Sequence, residues 1–109
     1  MSTILVGTGS ALPDPNRAGR SAVIRAGTGQ CLIDACRGVV LRLAAAGSGP
    51  NQLTAVLLTH LHSDHITDLN DLITTRWITT LVPSPLVVIG PPGTQAVVNA
   101  LLQSLTADI

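Results

Sequence analysis

The segment Ala55-Val56-Leu57-Leu58-Thr59-His60-Leu61-His62-Ser63-Asp64-His65 holds all three histidines of the chain within six residues. Its first four residues are apolar, which is typical of a strand buried on both faces. Side chains alternate between faces along extended backbone, so we expect His60 and His62 to point the same way, with Asp64 continuing the alternation. A turn into a helix then brings His65 to a second position. Imidazoles and a carboxylate at this spacing predict a site for a pair of borderline divalent metals such as zinc.

Two interpretations without a metal pair stay open for this segment. One is a histidine-rich surface turn in which Ser63 or Asp64 caps the following helix. The other is a single structural zinc site, although such sites usually close with cysteine and neither Cys31 nor Cys36 lies near in sequence. The two cysteines lack CxxC spacing and are too few for a disulfide framework, so we expect two buried free thiols in a reducing compartment.

The composition excludes several classes of protein. The chain has 109 residues, which suits one domain, and its charged fraction of 11% is less than half of the roughly 25% usual in soluble domains. Disordered chains are charged and poor in aliphatic residues, and no apolar run here reaches the roughly 18 residues of a membrane span. The first residues lack the cation of a secretory signal, and a net charge of zero gives no electrostatic footprint for nucleic acid. We therefore expect a cytoplasmic protein without membrane contact.

Strands and helices alternate along the chain in the predicted order βββαβαβα, which is an α/β layered domain. Strands are predicted over residues 3–6, 21–26, 30–34, 55–58 and 86–89, and helices over 36–46, from about 66 to 77 and after 94. The second helix has an apolar stripe that ends at Trp77, so this side chain is expected in the core. Asp68 and Asp71 lie one helical turn apart and are expected on its solvated face.

The histidine segment resembles the signature of the metallo-β-lactamase fold, which is His-x-His-x-Asp-His after an apolar strand. Three flanking segments are similar to the ribonuclease Z family of endonucleases, which trim the 3′ end of precursor tRNA. These segments are Leu5-Val6-Gly7-Thr8-Gly9-Ser10, Leu32-Ile33-Asp34 and Ile89-Gly90-Pro91-Pro92-Gly93. The similarity extends from about Ile4 to about Leu105.

The resemblance implies a zinc-dependent phosphodiester hydrolase with two metal ions, for which manganese or iron are alternatives. His60 and His62 would ligate the first ion, and Asp64 and His65 the second. Asp64 would also act as the catalytic base toward the attacking hydroxide or water, and Asp34 would support the ligands through hydrogen bonds. The implied partners are precursor tRNA or a small phosphodiester or ester, together with a second copy of the chain in a homodimer.

The family fold is an αββα sandwich, and the resemblance implies that residues 1–109 form the N-terminal half of one such domain, without its C-terminal half. A sheet face meant for a missing second sheet would account for the shortage of charge, so we expect the isolated chain to associate and to be inactive alone. Two alternatives stay open. One is another hydrolase of this fold that acts on aryl sulfates, cyclic nucleotides or lactones, and the other is a truncated, inactive metal-binding fragment.

Two smaller features complete the expectations. Many relatives have Asp-Cys-Gly-x-Gly where this chain has Asp34-Ala35-Cys36-Arg37-Gly38, so a non-glycine residue at position 36 leaves the backbone of that turn open. Arg17, Arg20 and Arg25 are either substrate-phosphate ligands or ordinary surface arginines.

Overall fold

A computed structural model of the chain describes residues 2–7, 9, 12, 19–82 and 84–107. The strands are β1 (Ser2–Gly7), β2 (Ser21–Ala26), β3 (Gly29–Ile33), β4 (Ala55–Leu57) and β5 (Val87–Ile89). The helices are α1 (Val39–Ala45), α2 (Ser63–Ile66), α3 (Leu69–Thr79) and α4 (Thr94–Ser104), with a 3-10 turn at Pro50–Gln52. No helix in these ranges is long and apolar enough to cross a membrane.

The helix predicted after the histidine segment is divided into α2 and α3, which corrects the expectation of one continuous helix. The break falls at Asp68, whose backbone N–H donates to the carbonyl of Ala35 at 2.9 Å. That bond replaces the i to i−4 bond that would continue a helix through this residue. As a result, the single turn of α2 is held against the end of β3.

The five strands form one mixed sheet in the order β1-β2-β3-β4-β5. β1, β2 and β3 pair antiparallel, whereas β3, β4 and β5 pair parallel. The carboxyl ends of β3, β4 and β5 therefore meet at one edge of the sheet. Asp34, the histidine segment and Gly90 follow these three strands directly, and this edge is where open α/β sheets bind ligands.

One face of the sheet carries the hydrophobic core. Strand pairing places a row of apolar side chains across all five strands, namely Ile4, Val23, Leu32, Val56 and Val88. These residues pack in one cluster with Val39 and Leu43 of α1, Leu69 and Leu72 of α3, and Val97 and Leu101 of α4. The alternation of buried and half-exposed positions in β2 and β4 follows from the two-residue period of a strand.

The opposite face of the sheet is also apolar but is not packed by the helices of the described chain. One register row across it consists of Leu5, Ala22, Ile33, Leu57 and Ile89. Leu5 is 70% exposed and Ile89 50%, and none of the five belongs to the core cluster. We call these five residues the open face.

Two side chains expected in the interior lie nearer the surface. Trp77 is 53% exposed because it falls outside the α3 stripe of Leu69 and Leu72, which packs on the sheet, so its assignment to the core was wrong. Cys36 is buried as expected, whereas Cys31 is only partly buried. Cys31 points away from the helices, since its neighbour Leu32 occupies the covered face.

Candidate metal centre

Asp34 occupies the junction between β3 and the turn that leads to α1. Its backbone has a positive φ of 64°, a conformation that non-glycine residues adopt rarely and aspartate more readily than most. Cys36, the position that the sequence left open, has no positive φ, and the second left-handed residue of this turn is Gly38. The backbone N–H of Asp34 donates to Leu57 at 2.8 Å, which joins the ends of β3 and β4.

The buried carboxylate of Asp34 gathers hydrogen bonds from the histidine segment. It accepts the backbone N–H of Thr59 at 2.8 Å and the Thr59 hydroxyl, also at 2.8 Å. His65 Nδ1 lies 3.0 Å from Asp34 Oδ2. Asp34 therefore contacts the predicted ligand His65 directly and the predicted ligand His60 through Thr59, a residue for which the sequence carries no signal of its own.

The hydrogen bonds fix the tautomers of two histidines. A carboxylate only accepts hydrogen bonds, so His65 carries a proton on Nδ1, and in the neutral imidazole Nε2 then holds the lone pair. The single proton of the Thr59 hydroxyl is donated to Asp34, so His60 Nδ1, 3.0 Å from Thr59 Oγ1, must donate in turn. Nε2 of His60 is thereby left as an acceptor too, which is the form in which imidazole binds metals.

The three imidazole rings and the Asp64 carboxylate lie close together. His65 Nε2 lies 3.4 Å from Asp64 Oδ2. The ring centroid of His60 lies 4.0 Å from that of His65 and 4.7 Å from that of His62. The fold thus brings together all four predicted ligands, and His60 sits between the other two imidazoles.

The chemistry of these donors fits a borderline divalent cation. Imidazole nitrogens and one carboxylate are the ligands that zinc takes, and a ligating histidine usually donates its other N–H to a carboxylate, as His65 does to Asp34. Within the described ranges, however, no group of three or more His, Cys, Asp or Glu side chains is arranged to hold one metal ion. The four side chains therefore offer ligands in part, and not a complete coordination shell.

The start of α2 corrects the capping expectation. Its N-cap residue is His62, with extended backbone, while Ser63 and Asp64 lie in the first turn and neither forms a side-chain cap. The Asp64 carboxylate is consequently free of a capping bond and faces His65 instead.

Asp68 is not on a solvated face, which corrects a second expectation. Its partly buried carboxylate accepts hydrogen bonds from the backbone N–H groups of Val40, Gly38 and Val39, at the start of α1. Burial raises the pKa of Asp68 and the nearby Asp71 raises it further, while those N–H groups act in the opposite direction. Asp68 therefore caps α1 from another helix, a tertiary contact that leaves no local pattern in sequence.

Cys36 adjoins the cluster without offering a thiolate. Its Sγ lies 3.9 Å from His65 Nδ1, and burial raises the pKa of the thiol above its usual value. The thiol therefore stays protonated at neutral pH and packs beside His65.

Comparison with known proteins places this geometry in a family. The profile of the metallo-beta-lactamase superfamily matches residues 2–105. The chain belongs to the metallo-beta-lactamase superfamily. The crystal structure of the short form of human tRNase Z superposes with a TM-score of 0.83 at 26% identity, covering 99% of this chain and 39% of that one. The Bacillus subtilis metallo-beta-lactamase-fold protein YhfI superposes with a TM-score of 0.74 at 25% identity, over 95% of this chain and 40% of that one.

Sequence relatives agree with the structural ones. The chain is 56% identical to ribonuclease Z of Mycolicibacterium paratuberculosis (strain ATCC BAA-968 / K-10) over 107 residues, which are 96% of this chain and 38% of that protein. Ribonuclease Z of Mycobacterium sp. (strain KMS) is 57% identical over 106 residues, 96% of this chain and 37% of that protein. The resemblance to this fold and branch is thereby confirmed. The chain spans less than two fifths of the length of the curated relatives it matches.

Proposed function

We propose that this chain carries one part of the active site of a metal-dependent phosphodiester hydrolase of the ribonuclease Z type, which cleaves precursor tRNA at its 3′ end. One observation supports it above the others. Asp34 and Thr59 hold the Nδ1 sides of His65 and His60, while the two rings lie 4.0 Å apart and His65 Nε2 faces Asp64. Such preorganised imidazoles serve metal binding, and the similarity to mycobacterial ribonuclease Z proteins supports the substrate class.

We assign His60 and His62 to a first zinc ion and Asp64 and His65 to a second. Divalent ions bound there supply Lewis acidity and lower the pKa of water toward neutrality. Asp64, whose carboxylate is partly exposed, orients the attacking water and accepts its proton. Asp34 touches no substrate in this scheme; it positions His65 and, through Thr59, His60.

We further propose that residues 1–109 are the N-terminal part of a single domain whose remainder packs on the open face and completes the ligand set. Two facts support this arrangement. The open face is apolar yet not packed by the described helices, and the chain spans less than two fifths of its relatives. A cytoplasmic location and a homodimer stay predictions.

The test uses the protein encoded by the whole reading frame, assayed on a precursor tRNA that carries a 3′ trailer. We expect about two zinc ions per chain by elemental analysis, and cleavage that a chelator abolishes. His62→Ala and Asp64→Asn should each lower kcat/KM by more than the roughly 100-fold that loss of an outer hydrogen-bond partner causes. Asp71→Asn, on the exposed side of α3, is the matched control and should leave cleavage unchanged.

The outcomes separate the alternatives. Metal-dependent hydrolysis of bis(p-nitrophenyl) phosphate, an aryl sulfate or a lactone without tRNA cleavage would support another hydrolase of this fold. A folded protein that binds no metal and turns over none of these substrates would contradict both hydrolase interpretations and leave only that of an inactive fragment.

A further inference from the structure

A cavity of about 190 Å³ opens beside the candidate metal centre. Asp64 and His65 line it from the histidine segment, and Arg20 and Arg37 line it from two other parts of the chain. Arg20 precedes β2 and Arg37 precedes α1, so the two arginines come to line one cavity only through folding. In the sequence, Arg20 is one of several scattered arginines, and no local pattern marks Arg37.

The segments that carry these arginines are fastened to each other. The backbone N–H of Gly19 donates to the carbonyl of Arg37 at 2.9 Å. A Cβ at Gly19 would lie 2.6 Å from Cβ of Cys36, so this approach is open only to glycine. The Ser21 hydroxyl donates to the Asp34 carbonyl at 3.0 Å and accepts the Cys36 N–H at 3.4 Å. Arg20 is therefore held at the edge of the site by bonds on both sides of it.

Position distinguishes these two arginines from the others. In the strand register Arg25 lies opposite Ser2 and Gln30, at the end of β2 that is remote from Asp34. Arg42 lies in the last turn of α1. Arg17 falls outside the described residues. Arg76 is buried against backbone carbonyls. In the described part of the chain, Arg20 and Arg37 are thus the arginines that line the cavity beside the metal ligands.

We infer that Arg20 and Arg37 form a binding subsite for a phosphate of an RNA strand next to the phosphodiester that is cleaved. Guanidinium groups bind phosphate oxygens in bidentate fashion, and two of them in one small cavity favour an anion. The scissile phosphate belongs to the metal ligands, so the arginines take a neighbouring phosphate, which a polynucleotide has and a small diester lacks. This inference rests on the proposed function, since it names a further contact of the same substrate.

The test compares Arg20→Gln, Arg37→Gln and the double variant in the complete protein, with Arg42→Gln as a control of equal charge change on an exposed helix surface. Binding of a fluorescent 3′-trailer RNA is measured by anisotropy in the presence of a chelator, so that no cleavage is required. Each subsite variant should weaken binding roughly 10-fold and reduce the slope of log Kd against log salt by about 0.7, the value for one phosphate contact on a single strand. Arg42→Gln should change neither quantity.

Kinetics with two substrates locate the phosphate. With the RNA substrate, the Arg20 and Arg37 variants should have a higher KM and an unchanged kcat. Their kcat/KM for bis(p-nitrophenyl) phosphate should equal that of the unsubstituted protein. If a glutamine variant fails to fold, Arg20→Lys and Arg37→Lys keep the charge without the bidentate fork and should retain part of the binding. Unchanged RNA binding in the double variant would overturn the subsite, and an equal kcat loss on both substrates would overturn its assignment to a neighbouring phosphate. Weakened binding in a protein that never cleaves RNA would keep the subsite and reject the proposed function.

Discussion

At the scale of single residues, Asp34 is the point on which the candidate site depends. Its left-handed backbone and buried carboxylate are each unfavourable alone, of the order of 1–3 kcal/mol for the backbone. The strain and the burial cost are offset because this conformation lets one carboxylate accept hydrogen bonds from Thr59 and His65 at the same time. Local strain of this kind typically lies at functional sites, and here it sets the protonation pattern of two imidazoles.

Asp34→Asn tests this role. An asparagine tolerates a positive φ, so the fold should hold, but its NH₂ group would face His65 Nδ1 and move the imidazole proton to Nε2. We expect zinc affinity of the complete protein to fall about 10- to 100-fold, measured by competition with a chelator. Asp71→Asn, which removes an exposed carboxylate that accepts the Thr75 hydroxyl on the same helix, should leave zinc affinity unchanged. Equal affinities for the two variants would contradict the role of Asp34.

Thr59 provides a second test of the same network. Thr59→Val keeps the shape and the backbone N–H bond to Asp34 but removes the hydroxyl between Asp34 and His60. We expect about a 10-fold loss of zinc affinity with little change in thermal stability, because Thr59 is exposed. Thr59→Ser restores the hydroxyl and should restore the affinity; failure of serine to do so would show that the methyl group matters instead.

At the scale of elements, Arg76 fastens α3 to the two segments that directly precede β4 and β5. Its buried guanidinium donates to the carbonyls of Pro50 and Leu53 at 2.8 and 2.7 Å, before β4. It also donates to the carbonyl and hydroxyl of Ser84 at 3.0 Å each, before β5. One side chain thereby donates to several backbone acceptors, and it fixes α3 against the segments that lead into β4 and β5.

Arg76→Met should therefore destabilise the complete protein by about 3 kcal/mol or more, because each buried acceptor left unsatisfied costs about 1–3 kcal/mol. Arg76→Lys offers three donors without the planar fork and should recover only part of the loss. Urea denaturation followed by circular dichroism measures both, with Arg42→Met on the exposed surface of α1 as the control. A urea midpoint for Arg76→Met equal to that of Arg42→Met would show that the hydrogen bonds of Arg76 do not contribute to stability.

The elements also show where sequence patterns suffice. Strands, the helix α1 that stops before Gly47, and the apolar stripe of α4 follow from local periodicity and turn residues, and these predictions were confirmed. The closeness of the four predicted ligands in space also follows from their closeness in sequence. The break at Asp68 and the cavity position of Arg37 depend on contacts between distant segments, so no local pattern carries them.

At the scale of the whole molecule, helices of the described residues pack on one side of the sheet only. Helices cover the row through Val23 and Val56, and the row on the reverse side, through Ile33 and Leu57, is just as apolar. Monomeric proteins seldom expose contiguous apolar patches beyond a few hundred Å². The low charged fraction of the sequence thus has a structural counterpart in the open face.

The open face leads to opposite predictions for the short chain and the complete protein. Residues 1–109 alone should self-associate in sedimentation velocity runs, and Ile89→Lys should shift them toward monomer by placing a charge on the exposed row. In the complete protein, the same substitution should lower stability by several kcal/mol, because it buries an unpaired charge wherever the remainder of the domain packs. Leu41→Lys is the matched control, since Leu41 is 76% exposed on α1. It should change neither the association of residues 1–109 nor the stability of the complete protein. A monomeric, cooperatively unfolding chain of residues 1–109, or a complete protein indifferent to Ile89→Lys, would mean that no second layer covers this face.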